Sequence, residues 1–265
     1  DIMPAIYAHD RFGEKVAKKL GGELKCFVFE YYPQFEIGLQ GPDIFFFYRP
    51  YTKNRVVKYG NHLHAISAKP FFEHAMKVIN KRGRDSAQYA YLLGFICHYI
   101  LDSECHPYVE QMIEKTGVQH LEIEEEFEKY LLKKDRQDPL AFRLAALVPT
   151  DVMTAKAIAP FYENITWKTA RKSLYWLRFV KNLFRAPRGL KRGAINTVMR
   201  LTGQYDKIKG LMHQKKDHPK CAETNKGLNQ RLEGAVDLAV MMMESFDESL
   251  RSGLRLNERF DRTFE

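Results

Sequence analysis

No stretch of the 265 residues reaches the roughly 18 consecutive apolar side chains that a helix crossing a bilayer requires. The longest apolar-rich segment, residues 89–101, is interrupted by His98 and other polar positions, so a membrane-spanning helix is excluded. Cysteine is scarce: Cys26, Cys97, Cys105 and Cys221 are too few for a disulfide framework, and no two form a Cys-x-x-Cys pair. They read as reduced packing residues. Alternating strands are missing too, since the one β-rich run, residues 44–48, is short and bracketed by Pro42 and Pro50. Internal repeats and low-complexity tracts are absent. The first residues carry no charged start, apolar run and small-residue cleavage site, and Met3-Pro4 reads as a natural start, so a cytoplasmic location is expected.

What is present is helical periodicity. Phe71, Phe72, Ala75, Met76 and Ile79 follow a three-and-four spacing, as do Tyr91, Leu92, Phe95, Ile96 and Tyr99. Similar stripes recur over residues 174–184 and 228–246. With 45% hydrophobic and 28% charged residues, the composition excludes disorder, and the length suffices for one sizeable core. The expected fold is all-α, a multi-helix bundle forming a single domain over 1–265, with 1–135 holding the chemistry and 136–265 a helical C-terminal part. Breaks fall at Gly21-Gly22, 38–50, 81–84, 137–139, 186–189 and His218-Pro219, each with turn chemistry. The longest loop, over 35–60, contains Gly41-Pro42-Asp43, where rigid backbone can present a carboxylate.

The formal charge of +9 is regional. Residues 166–220 hold 15 Lys/Arg against Asp206 and Asp217, an excess of 13 that leaves −4 for the rest of the chain. Such a surface attracts anionic ligands, phospholipid headgroups or nucleic acid, through forces that salt screens. Trp167, Tyr175, Trp176, Phe179 and Phe184 interleave there with Lys168, Arg171, Lys172, Arg178, Lys181 and Arg185. The mixture suits an anionic membrane or a single-stranded nucleic acid, and equally a helix with its aromatics in the core and its charges in water.

Seven of the nine histidines (His9, His62, His64, His74, His98, His106, His120) lie in the first 120 residues. On a helix, residues four apart share a face, so His98 and Asp102 can grip one ion. His106 continues that face, and Pro107 disfavours helix at the residue before it, so the helix is expected to bend or end there. His120 and Glu124 repeat the spacing with the nitrogen-and-carboxylate chemistry that zinc favours. Taken alone, His-x-x-x-Asp is more often a local hydrogen bond, and the acidic run Glu122, Glu124, Glu125, Glu126 and Glu128 is more often solvated surface. Burial of the His98 helix tips the balance, because buried polar groups must find partners.

Gly-x-x-x-His-Tyr-x-x-Asp at 94–102, followed by His106 and by His120-x-x-x-Glu124, resembles the metal-binding core of zinc-dependent phospholipase C and the related S1/P1 nucleases. The resemblance covers about the first 130 residues. It implies two or three zinc ions: one held by Asp43, His64, His98 and Asp102, with His62 competing for the place of His64; one held by His106, His120 and Glu124; and a third held by His9, with Asp102 as the bridge and the nitrogen of Pro4 as a candidate. It also implies phosphodiester hydrolysis by water activated on zinc, with Asp43 able to take that water's proton. His74 reads as structural, and His213 and His218 match no motif. His-Tyr-x-x-Asp followed closely by His-Pro is more similar to the bacterial phospholipase branch, so a phospholipid substrate leads over single-stranded nucleic acid. A helical protein merely stapled by zinc, binding anionic partners without catalysis, is the third reading.

Overall fold

The computed structural model describes residues 5–264, apart from the side chains of residues 206 and 207. Helices α1 (Ile6–Lys19), α2 (Gly22–Glu30) and α3 (Tyr32–Gly38) lead through a 3-10 turn, Gly41–Phe45, to α4 (Arg55–Ala65) and α5 (Lys69–Arg82). Then come α6 (Ala87–Thr116), α7 (His120–Lys134), α8 (Val152–Ile158), α9 (Trp167–Phe184), α10 (Gly189–Leu201), the single turn α11 (Tyr205–Ile208) and α12 (Cys221–Ser252). No strand forms among the described residues, and the fold is all-α. The β-rich run starts inside the 3-10 turn, and the loop expected over 35–60 shrinks to short connections on either side of it. No described helix is long and apolar enough to cross a membrane.

α6 is the axis of the structure. Residues 89–103 are buried all round, as befits a helix enclosed by others; α3 and α12 make its most extensive contacts. Ser86 caps its first turn by accepting a hydrogen bond from the Tyr89 amide at 3.2 Å, and Gly117 in the left-handed region, φ 73°, closes it. Of the two outcomes expected at Pro107, a bend or an end, the end does not occur: the helix runs on to Thr116. An internal proline costs about 3 kcal/mol, whereas Val109 and Met112 beyond it are buried, each contributing about 1.5–3 kcal/mol. Gly38 and Gly94 explain how α3 reaches α6. A β-carbon on Gly94 would collide with the Phe35 carbonyl oxygen, and one on Gly38 with that of Tyr91, so the two backbones touch only where neither residue has a side chain.

The main hydrophobic cluster runs from Ile6 to Phe264. A smaller one joins Ala186, Met199 and Met212. All four cysteines are free, three of them buried and Cys26 exposed. After α12 ends at Gly253, the chain folds back over α5 and α6. Arg262 O accepts from the Ala68 amide at 3.0 Å, Asp261 O from the Ser67 hydroxyl at 2.9 Å, and Arg259 O from the Tyr99 hydroxyl at 2.7 Å.

Candidate metal centre

Five separate elements deliver side chains to one buried region. α1 brings His9, the 3-10 turn Asp43, α4 His64, α6 His98, Asp102 and His106, and α7 His120 and Glu124. The turn holds Asp43 by donating its amide to Gln40 O at 3.1 Å. Gly41 beside it has φ 49°, and a β-carbon there would strike the His98 ring; only glycine tolerates both conditions.

Three of the imidazoles are fixed from behind. His64 Nδ1 donates to Gly60 O at 2.9 Å, His98 Nδ1 to Leu39 O at 3.0 Å and His106 Nδ1 to Phe264 O at 2.9 Å. A carbonyl oxygen can only accept, so each proton sits on Nδ1 and each Nε2 of the neutral ring carries a lone pair. Those Nε2 atoms face carboxylates. His64 Nε2 lies 2.9 Å from Asp43 Oδ1, and His98 Nε2 3.0 Å from Asp102 Oδ2 and 4.0 Å from Asp43 Oδ1. His106 Nε2 is 3.8 Å from Asp102 Oδ1 and 3.9 Å from Glu124 Oε1. His9 stacks on His98 with ring centroids 4.3 Å apart, its Nε2 3.1 Å from Asp102 Oδ1. His120 Nε2 stands 3.0 Å from Glu124 Oε1.

Short as these distances are, His64 Nε2, His98 Nε2, Asp43 Oδ1 and Asp102 Oδ2 are buried without a hydrogen-bond partner, as are His9 Nδ1 and Glu124 Oε2. Lone pairs aimed at anionic oxygens in a buried site repel unless a cation lies between them. Three groups among the described residues place their donor atoms so that they could hold one: His9, His98 and Asp102; Asp43, His64 and His98; His106, His120 and Glu124. His98 belongs to two of them. The donor set, imidazole nitrogen with carboxylate oxygen, suits zinc.

The electrostatics follow from the same contacts. Burial alone would raise Asp102, but His98, His106 and His9 together hold it well below the usual carboxylate range. Burial opposes the charge on His9, yet Asp102, Asp43 and Glu124 outweigh it and raise the imidazole. For His120, burial is overcome by Glu124 and Glu110, which push it up to about 9. The carboxylates of the centre thus favour positive charge on the imidazoles beside them.

The structure thus brings together all eight residues expected to carry the chemistry. It separates His64, buried against Asp43, from His62, which is exposed. His74 is exposed too, its Nε2 2.9 Å from Pro160 O, and Pro4 lies outside the described residues. Two features went unforeseen. The Phe264 carbonyl orients His106 from 158 residues away, and the Phe264 ring packs on His64 at 5.2 Å and His98 at 6.0 Å. The acidic run is not solvated: Glu125, Glu126 and Glu128 are buried. His213, which matched no motif, lies between Glu125 Oε1 at 3.2 Å and Glu128 Oε1 at 3.3 Å, and Lys129 Nζ meets Glu126 Oε1 at 2.6 Å. Burial would lower His213, but the two glutamates raise it to about 9. This clamp fixes the helix bearing His120 and Glu124, and its one signal in the sequence is an acidic run matched by a basic segment far along the chain. A cleft beside Glu124 is lined by Ala5, Phe142, Lys181, Phe184, Arg185 and His213.

No curated protein and no solved structure matched the chain. The model of a family described as zinc dependent phospholipase C matches residues 8–191, a span that begins one residue before His9 and includes every residue of the three donor groups. With more than half of its length matched and with nitrogen and oxygen donors gathered in three groups that could hold a cation, the chain belongs to the zinc-dependent phospholipase C family.

Proposed function

We propose that the protein is a zinc-dependent phosphoric diester hydrolase that cleaves phospholipids in the manner of a phospholipase C. The observation that carries this reading is the convergence of three donor groups, two of them sharing His98, with the Nε2 atoms of His64, His98 and His106 turned inward. Asp43, His64, His98 and Asp102 would hold one ion, His106, His120 and Glu124 a second, and His9 with Asp102 a third. Zinc, when bound, is a Lewis acid that makes water acidic enough to ionise near neutral pH and offsets charge on phosphoryl oxygens.

The remaining roles fall to side chains. The Leu39, Gly60 and Phe264 carbonyls hold the Nδ1 protons and so aim the Nε2 side of each ring inward. Asp43 would hold its ion through Oδ1, which faces His64 Nε2 and His98 Nε2, and its second carboxylate oxygen would accept the proton leaving the attacking water. The cleft beside Glu124 encloses about 30 Å³, room for about one water, and carries Lys181 and Arg185 on its wall. Lys181 is buried, and burial lowers its ammonium against the pull of Glu128, Glu124 and Asp43. The group of His106, His120 and Glu124 has three protein donors, which supports an open position and not a closed staple.

The test is zinc analysis together with turnover of a chromogenic phosphodiester, a phospholipid and single-stranded DNA. Hydrolysis of the phospholipid with retention of a phosphorylated headgroup in water supports the proposal. Activity on DNA alone replaces it with a nuclease reading, and bound zinc without turnover of any of the three replaces it with a structural one.

A further inference from the structure

Two helices beyond the metal-bearing ones each expose an apolar stripe that no other described element buries. On α10, Ile195 and Met199 face the small cluster with Ala186 and Met212. Leu190, Ala194, Val198 and Leu201, spaced by four, four and three, form a different stripe, with Leu190 91%, Val198 59% and Leu201 82% exposed. On α9, Leu174, Leu177 and Val180 enter the core, while Tyr175, Phe179 and Leu183, spaced by four, are exposed. Single exposed apolar residues are ordinary, but two stripes in consecutive helices mark an interaction surface.

The charges around these stripes select the partner. Residues 166–205 contain ten Lys/Arg and no Asp or Glu; Lys172, Arg178 and Arg188 are among those exposed. A second copy of this chain would bring cations against cations. Single-stranded nucleic acid would satisfy the charge and could stack on Tyr175 and Phe179, but it leaves Leu183 and the wholly aliphatic stripe of α10 without a partner. An anionic bilayer accepts both parts, cations at the headgroups and aliphatic side chains among the acyl boundary. We propose that the α9–α10 segment adsorbs the protein onto anionic phospholipid surfaces. Phe184 and Arg185, at the end of α9, also line the cleft beside Glu124, so adsorption through this segment sets that cleft near the lipid surface.

Adsorption is separable from turnover and is read by sedimentation of the zinc-loaded protein with vesicles. The vesicles are phosphatidylcholine alone or with about 30% phosphatidylserine. The wild type partitions to the serine-containing vesicles at least about tenfold more tightly, and raising salt from about 50 to about 300 mM weakens it. Leu190→Ser/Val198→Ser/Leu201→Ser weakens partitioning by about tenfold or more, and Lys172→Gln/Arg178→Gln/Arg188→Gln removes the preference for anionic lipid. The positions are exposed, so circular dichroism and hydrolysis of a soluble diester stay as in the wild type. A wild type that does not sediment, or a serine triple variant that partitions like the wild type, overturns the proposal. Displacement from the vesicles by single-stranded DNA that binds the triple variant undiminished would overturn it in favour of a nucleic-acid surface. Vesicle binding without hydrolysis of any phosphodiester would sink the catalytic reading and leave this one standing.

Discussion

Replacing Asp102 with asparagine changes almost no volume but removes the one carboxylate that contacts three imidazoles: His98 at 3.0 Å, His9 at 3.1 Å and His106 at 3.8 Å. Asparagine keeps a single acceptor oxygen and presents an amide NH2 to a lone pair. If Asp102 serves two ions, both lose an anionic ligand at once. Changing a group merely hydrogen-bonded to a metal ligand costs 10–100-fold in affinity, so loss of the ligand itself is placed at about 100-fold for each ion, or about 2.7 kcal/mol. Under saturating zinc the two losses lower stability by about 5.5 kcal/mol, which for a chain of this size moves Tm down by roughly 10–20 °C. The assay is zinc content after dialysis against buffered zinc, with Tm recorded on the same samples. Asp102→Asn should lose more than one equivalent and melt earlier, and the wild type stripped by chelator should close most of the Tm gap. Loss of one equivalent only, with Tm falling by less than half that range, would refute the bridging role.

His74→Ala should leave zinc content and rate within about twofold of wild type, because His74 is exposed, its Nε2 faces the Pro160 carbonyl and it belongs to none of the three donor groups; a large loss of zinc would show that α5 contributes a ligand. Phe264→Ala should destabilise by about 3–5 kcal/mol and speed zinc release to a chelator, since the ring that braces His64 and His98 is gone; unchanged release at matched stability would confine Phe264 to packing. His213 is raised from 6.5 to about 9 in the folded state, so its stabilisation is full below pH 6.5 and fades as pH climbs through 9. The Tm difference between wild type and His213→Gln should therefore be widest near pH 6 and narrow towards pH 9, and a gap independent of pH would contradict a charged His213 clamped by Glu125 and Glu128.

What could be read along the chain was whatever a helix encodes locally. His98 with Asp102 and His120 with Glu124 are four residues apart, and that spacing alone places each pair on one face, where the structure has them. Gly41-Pro42-Asp43 announced a rigid turn because its residue types permit little else. The Phe264 carbonyl could not be foreseen, since every residue has one and only tertiary folding decides which of them His106 meets. Glu125, Glu126 and Glu128 misled because their burial depends on His213, a partner about 85 residues away that arrives only after the chain closes on itself, whereas Lys129 sits on the same helix one turn on. Pro107 misled, as a place for the helix to end, for the opposite reason: a local preference of a few kcal/mol was overridden by what α6 buries on either side.

The most direct test of the account is the metal itself. Zinc per chain after purification without chelators, combined with X-ray absorption at the zinc edge, reads both number and donor type. At least two equivalents are predicted, with a first shell of nitrogen and oxygen and no sulfur, because no cysteine belongs to the three donor groups. Less than one equivalent, or a zinc–sulfur distance of about 2.3 Å, would contradict it.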